Sequence, residues 1–102
     1  MTPEGKVVQY LKKKVKALGG HTRKCEWSNH VGAPDQLVML PGVHFWVELK
    51  SPGEKPRPIQ LLEHEEMRKA GCRVYVADSP EAIDEILLAE LRESVKCGLS
   101  SS

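Results

Sequence analysis

The chain has 102 residues, 40% hydrophobic and 28% charged, with a formal net charge of +1. That length fits one domain over residues 1–102. With no apolar run of membrane-spanning length and no signal-peptide segment, a cytoplasmic protein with no membrane contact is expected. Cysteines at 25, 72 and 97 form no CxxC pair and the four histidines lack ligand spacing, which argues against a disulfide framework or a structural zinc site.

Thr2-Pro3-Glu4 reads as a helix start, with Thr2 as N-cap and Pro3 at the first helical position. The helix should run to about Leu18 and stop at Gly19-Gly20, with Val8, Leu11, Val15 and Leu18 as its apolar stripe. Glu4 lies four residues before Val8, on the inward side. It is either an acid favoured by the helix dipole or part of a site. Residues 1–24 hold seven Lys/Arg against one acid, residues 25–77 six against seven, and residues 78–102 two against six. A basic front and an acidic tail point to a polyanion on one face. A solvated lysine-rich face accounts for KKKVK (12–16) nearly as well.

Residues 20–27 alternate as a strand does, and SNHVGAP follows as a polar loop. DQLVML (35–40) and FWVELK (45–50) read as a hairpin turning at roughly 41–44. SPGEKPRP (51–58) is a loop rich in proline, glycine and cations. A helix is expected from Pro58 to about Ala70, a strand over 72–77, and a last helix from Ser79-Pro80 to about Val95, with residues 96–102 a frayed tail. The order is αβββαβα. The strand–helix–strand crossover over 45–77 calls for a parallel pair, so the fold class is α/β with a mixed sheet flanked by helices.

Within FWVELK, Phe45, Val47 and Leu49 share one face, and Trp46, Glu48 and Lys50 the other. A surface salt bridge is the ordinary reading of such a pair. With the turn at 41–44, however, Asp35 falls across from about Lys50, with Glu48 one step along the same face. Glu4 joins them if the first helix packs with that end nearby. Gathered carboxylates repel unless protonated or bridged by a cation. Their hard oxygens on a partly open site suit Mg²⁺ or Mn²⁺, with Lys50 placed to orient water or offset charge.

GAPD (32–35), VELK (47–50) and Gln60 at the start of the next helix, in that order, resemble the PD-(D/E)XK nuclease superfamily. The likeness is to its VRR-NUC branch, the virus-type replication-repair nuclease domain. Glu4 opening the first helix, Lys24 before the Gly-x-Pro-Asp turn, GEKPRPIQ after the ELK strand and AGCRVYVADSPEAIDEIL at the close extend the resemblance over about residues 2–95. It implies a restriction-endonuclease-like core and a Mg²⁺- or Mn²⁺-dependent DNA endonuclease. Asp35, Glu48 and the Leu49 backbone carbonyl would be metal ligands, Glu4 an additional acid, Lys50 the catalytic lysine and Gln60 a contact to the site or the scissile phosphate. Lys50 is read as positioning water, since a base must first give up its proton. Gly32 and Pro34 shape the turn that presents Asp35. Lys12, Lys13, Lys14, Lys16, Lys24, Lys55 and Arg57 are candidate phosphate contacts, which position DNA without specifying sequence.

The chain resembles the bare nuclease of small phage-type members, for which the expected DNA repair role is cleavage of branched DNA, foremost four-way (Holliday) junctions, by a homodimer. The surplus apolar face of the last helix (Ala82, Ile83, Ile86, Leu87, Leu88, Ala89, Leu91, Val95) would form the dimer contact. Three other readings stand beside this one: a nuclease acting on flaps, ends or nicks; a non-catalytic DNA-binding or replication-accessory module; and a metal-dependent hydrolase of another phosphoester.

Overall fold

The fold begins with a capped helix, as the sequence predicts. A computed structural model describes residues 2–100, with side chains described as far as Val95. α1 spans Pro3–Ala17 with Thr2 as N-cap, its hydroxyl accepting from Gly5 N at 3.0 Å. β1 (His21–Lys24), β2 (Gln36–Leu40) and β3 (Val43–Leu49) follow, then α2 (Pro58–Lys69), β4 (Val74–Ala77) and α3 (Pro80–Ser100). The sheet order is β1-β2-β3-β4, with β1–β2 and β2–β3 antiparallel and β3–β4 parallel. This is the expected mixed sheet in the expected element order.

One face of the sheet is the core. Val38, Leu40, Phe45, Val47 and Leu49 project from it onto Val7, Leu11 and Val15 of α1 and Ile83, Ile86 and Leu87 of α3. Tyr10 donates to Asp84 at 2.8 Å and ties the two helices together. Arg73 (2.7 Å) and the Tyr75 hydroxyl both donate to the buried Glu90 carboxylate, fixing α3 over β4. α2 covers part of the opposite face with His64 and Met67.

Several expectations shift. The buried stripe of α1 is Val7, Leu11 and Val15, with Val8 at its margin, and Leu18 lies exposed as the C-cap. β1 ends at Lys24 rather than near Trp27, because the chain there turns away into the loop that carries GAPD. The hairpin loop is only Pro41-Gly42, with Leu40 paired to Val43 and Gly42 at φ 87°. Proline first and a positive-φ glycine second is the type II arrangement, which is less usual in hairpins than the primed turns. α3 continues to Ser100, past Val95; a lone glycine at position 98 costs a helix only about 1 kcal/mol. Residues 101 and 102 of the expected frayed tail lie outside the described residues. No helix among the described residues is long and apolar enough to cross a membrane.

Candidate active site

The alternation of β3 builds the site. Phe45, Val47 and Leu49 are committed to the core, so Trp46, Glu48 and Lys50 must emerge on the other face. There Glu48 and Lys50 are each only 8% exposed. One step beyond the Gln36–Val47 pair, the ladder sets Asp35 opposite Glu48, correcting the sequence expectation that it faces Lys50. The two-residue loop moves the register by two positions. Two positions preserve the face, so Asp35, Glu48 and Lys50 still meet.

The loop presenting Asp35 is held at several points. Cys25 N donates to the Asp35 carbonyl at 2.8 Å, extending the β1–β2 ladder by one bond. The Trp27 indole N–H donates to the Pro34 carbonyl at 2.7 Å, and its ring lies 5.1 Å from that of Trp46. Gly32 sits at φ 95° against the first turn of α2, where an added Cβ would lie 2.9 Å from the Ile59 carbonyl oxygen and 3.1 Å from Gln60 Cα. That approach brings the start of α2 to the GAPD turn. Gln60 is half-buried and its side-chain oxygen accepts from Arg57 N at 2.8 Å, so the residue caps its own helix while its amide NH₂ remains as a donor.

Electrostatics mark Glu48. Its carboxyl is pushed up to about 7, chiefly by burial, then by the Asp35 charge; Lys50 opposes this, and Glu4 and Glu54 add to it. The Lys50 Nζ lies 4.0 Å from Glu48 Oε2, at the limit of an ion pair, and does not outweigh the loss of water and the neighbouring acids. Glu4 is exposed at the start of α1, close enough for its charge to be felt at Glu48. The structure thus sets Asp35, Glu48 and Lys50 side by side. The charges of Glu4 and of Glu54, whose side chain accepts from Ser51 N at 3.2 Å, are felt at Glu48 from farther off. Among the described residues no three Asp, Glu, His or Cys side chains stand ready as a metal cage. Two carboxylates supplemented by a main-chain carbonyl and waters nevertheless fit Mg²⁺ or Mn²⁺, which keep several waters, and the raised Glu48 carboxyl marks a place where positive charge is wanted.

Beneath the site lies His64, fully buried, with neither ring nitrogen partnered among the described residues. Burial foremost, then the Arg68 charge, lowers its pKa; Glu63 opposes this, and Lys50 adds to the lowering. Trp27, Glu54 and His64 were not singled out by the sequence. An indole pinning a loop carbonyl has no spacing signature, and Glu54 is hidden in a loop read for its cations. The expected phosphate contacts divide. All seven are exposed, but Lys14 turns toward α3, 3.9 Å from Asp84 and 5.7 Å from the Tyr10 ring centre.

No family model matches the chain. It is 40% identical over 79 residues to "Putative nuclease p44" of Acyrthosiphon pisum secondary endosymbiont phage 1, covering 76% of this chain and 85% of that protein. Among solved structures it aligns with a chain described as a VRR_NUC domain at a TM-score of 0.78 and 45% identity, over 85% of this chain and 96% of the other.

Proposed function

The chain belongs to the VRR-NUC family, and from that premise we propose that it is a Mg²⁺- or Mn²⁺-dependent DNA endonuclease hydrolysing phosphodiester bonds at the Asp35–Glu48–Lys50 site. The observation that carries this reading is the Glu48 carboxyl, buried beside Asp35 and raised to about 7. A structural salt bridge would draw Glu48 the other way.

Asp35, Glu48 and the Leu49 carbonyl would hold the metal, with Glu4 reaching it directly or through water. When bound, the ion supplies Lewis acidity toward the scissile phosphate. Lys50, fixed by its position two residues beyond Glu48 and by Lys50 N donating to the Ala77 carbonyl at 2.9 Å, orients the attacking water or offsets charge on the phosphate. The amide NH₂ of Gln60, left as a donor, would hydrogen-bond a phosphate oxygen.

We assign as preferred substrate branched DNA, with four-way junctions first, cut by a homodimer. Support comes from Leu88 of α3 and Leu18, exposed in a groove that Ala17, Leu87 and Leu91 also line, and from Val95, exposed farther along α3. Two sites related by a two-fold axis match the paired strands of a junction.

The test compares linear, flapped and four-way DNA with Mg²⁺, Mn²⁺, Ca²⁺ or excess EDTA. Cleavage with Mg²⁺ and Mn²⁺, none with Ca²⁺ or EDTA, and its loss in a folded Lys50→Ala protein are expected. Undiminished cutting in EDTA, or normal turnover by that variant, would end the metal-site reading. Equal rates on linear and four-way DNA would end the junction preference alone.

A further inference from the structure

At the far end of α1 a groove of about 390 Å³ opens between the helix and the edge strand β1, and Lys12, Lys16, His21 and Arg23 line it. No acidic residue is among its walls. Among the described residues, Lys12, Lys16 and Arg23 have no carboxylate within 4.0 Å, while Lys14, Lys69 and Arg73 are each paired with an acid. The C-terminal carbonyls of α1 offset roughly half a charge. What remains is a set of uncompensated cations in one concavity, a potential that draws a polyanion.

The sheet register places this groove relative to the site. Arg23 pairs with Leu37, which pairs with Trp46; His21 pairs with Met39. Cross-strand partners share a face, so Arg23 and His21 project from the face that bears Glu48 and Lys50. Lys12 and Lys16 stand on α1, which packs on the other face, so the groove lies at the β1 edge of the sheet. Two independent rulers give the separation. Four strand residues from Asp35 to Met39 span about 14 Å, and twelve helical residues from Glu4 to Lys16 span about 18 Å. One strand of duplex DNA carries a phosphate about every 3.4 Å of axis, so the groove lies about four to five phosphates from the cut.

We propose that this groove is a second, non-catalytic seat for the DNA backbone, held by Lys12, Lys16 and Arg23 and engaging phosphates about four to five positions from the scissile one. It rests on the nuclease reading for its distance from the cut, but not for its affinity. It moves the expected basic contact surface away from Lys14 and onto Arg23.

The experiment uses the full chain and a Lys16→Gln/Arg23→Gln variant, with Lys69→Gln/Arg92→Gln as a control of equal net charge. Affinity for duplex DNA is measured without divalent metal across a salt series. The groove variant should bind about tenfold more weakly at moderate salt, with a log–log salt slope shallower by about 1.8, while the control should match wild type within about twofold. Single neutral methylphosphonate linkages are then walked along the cleaved strand. In wild type, linkages about four to five positions from the cut should slow cleavage several-fold; the groove variant should be insensitive there and remain sensitive at the cut. Should the groove variant keep the wild-type slope, its cations merely guard an exposed strand edge and the seat does not exist. An affinity loss with an unchanged linkage profile overturns the assigned spacing. If wild type cuts nothing with Mg²⁺, the nuclease reading and the spacing fall, and the salt series still decides whether the groove binds DNA.

Discussion

At the scale of single residues, Glu48 carries an unusual burden. Its carboxyl ionises near 7 in the folded chain and near 4.5 when exposed. Below about pH 4.5 both states are protonated and the residue is neutral toward folding. Between about 4.5 and 7 the unfolded chain gives up its proton while the folded one keeps it, so stability falls as pH rises through that window and the full penalty persists above it. Glu48→Gln should therefore match wild type at pH 4.5 and exceed it at pH 8 by up to about 3 kcal/mol, several degrees in Tm. Mg²⁺ at pH 8 should raise the melting point of wild type and leave the variant unmoved. A variant less stable than wild type at pH 8 would mean that Lys50 stabilises the charge after all. The residue trades stability for a place where a cation is wanted, and the same substitution should remove cleavage.

At the scale of elements, the meeting of the GAPD loop with the first turn of α2 places two parts of the site at once. Gly32 and Gly53 both sit at positive φ, 95° and 83°, but a Cβ on Gly53 would meet nothing within 4 Å while one on Gly32 would strike the Ile59 carbonyl. Gly53→Ala should cost about 1 kcal/mol from backbone strain alone. Gly32→Ala should cost about 2–3 kcal/mol and also lower turnover by separating Asp35 from Gln60, as thermal melts and cleavage rates on the pair would register. Equal losses in both would show that the contact contributes nothing. The sequence made much of this level legible. Alternation in FWVELK dictates the shared face of Glu48 and Lys50, and Pro-Gly punctuation marks the hairpin. The register was misread because Pro41-Gly42 closes a two-residue loop in a type II arrangement that hairpins seldom use, leaving Val43 and His44 inside the strand. Trp27 was invisible because its indole reaches Pro34 only after the loop has folded back.

At the scale of the whole molecule, α3 was expected to carry a wide surplus of apolar surface, and most of it proves to be spent internally. Ile83, Ile86 and Leu87 are buried in the core, Ala82 and Leu91 partly so, and the large side chains left outside are Leu88 and Val95. The proposed dimer must use these together with Leu18. Sedimentation should give a mass near twice 11.4 kDa for wild type and near 11.4 kDa for Leu88→Lys/Val95→Lys. A wild-type monomer at micromolar concentration removes the dimer. The parallel pairing of β3 with β4 has a bearing on the life of the chain before it is finished. Trp46 N donates to the Arg73 carbonyl and Lys50 N to that of Ala77, so the strand bearing the site takes its last partner from residues made long after it. Those contacts close a loop of more than twenty residues, whereas the β2–β3 hairpin can form locally. A nascent chain that ends before β4 can set Asp35 opposite Glu48 in the hairpin, but Lys50 N lacks the Ala77 carbonyl that holds it. The strand that bears the proposed site is therefore completed late, only once β4 has been made and docked.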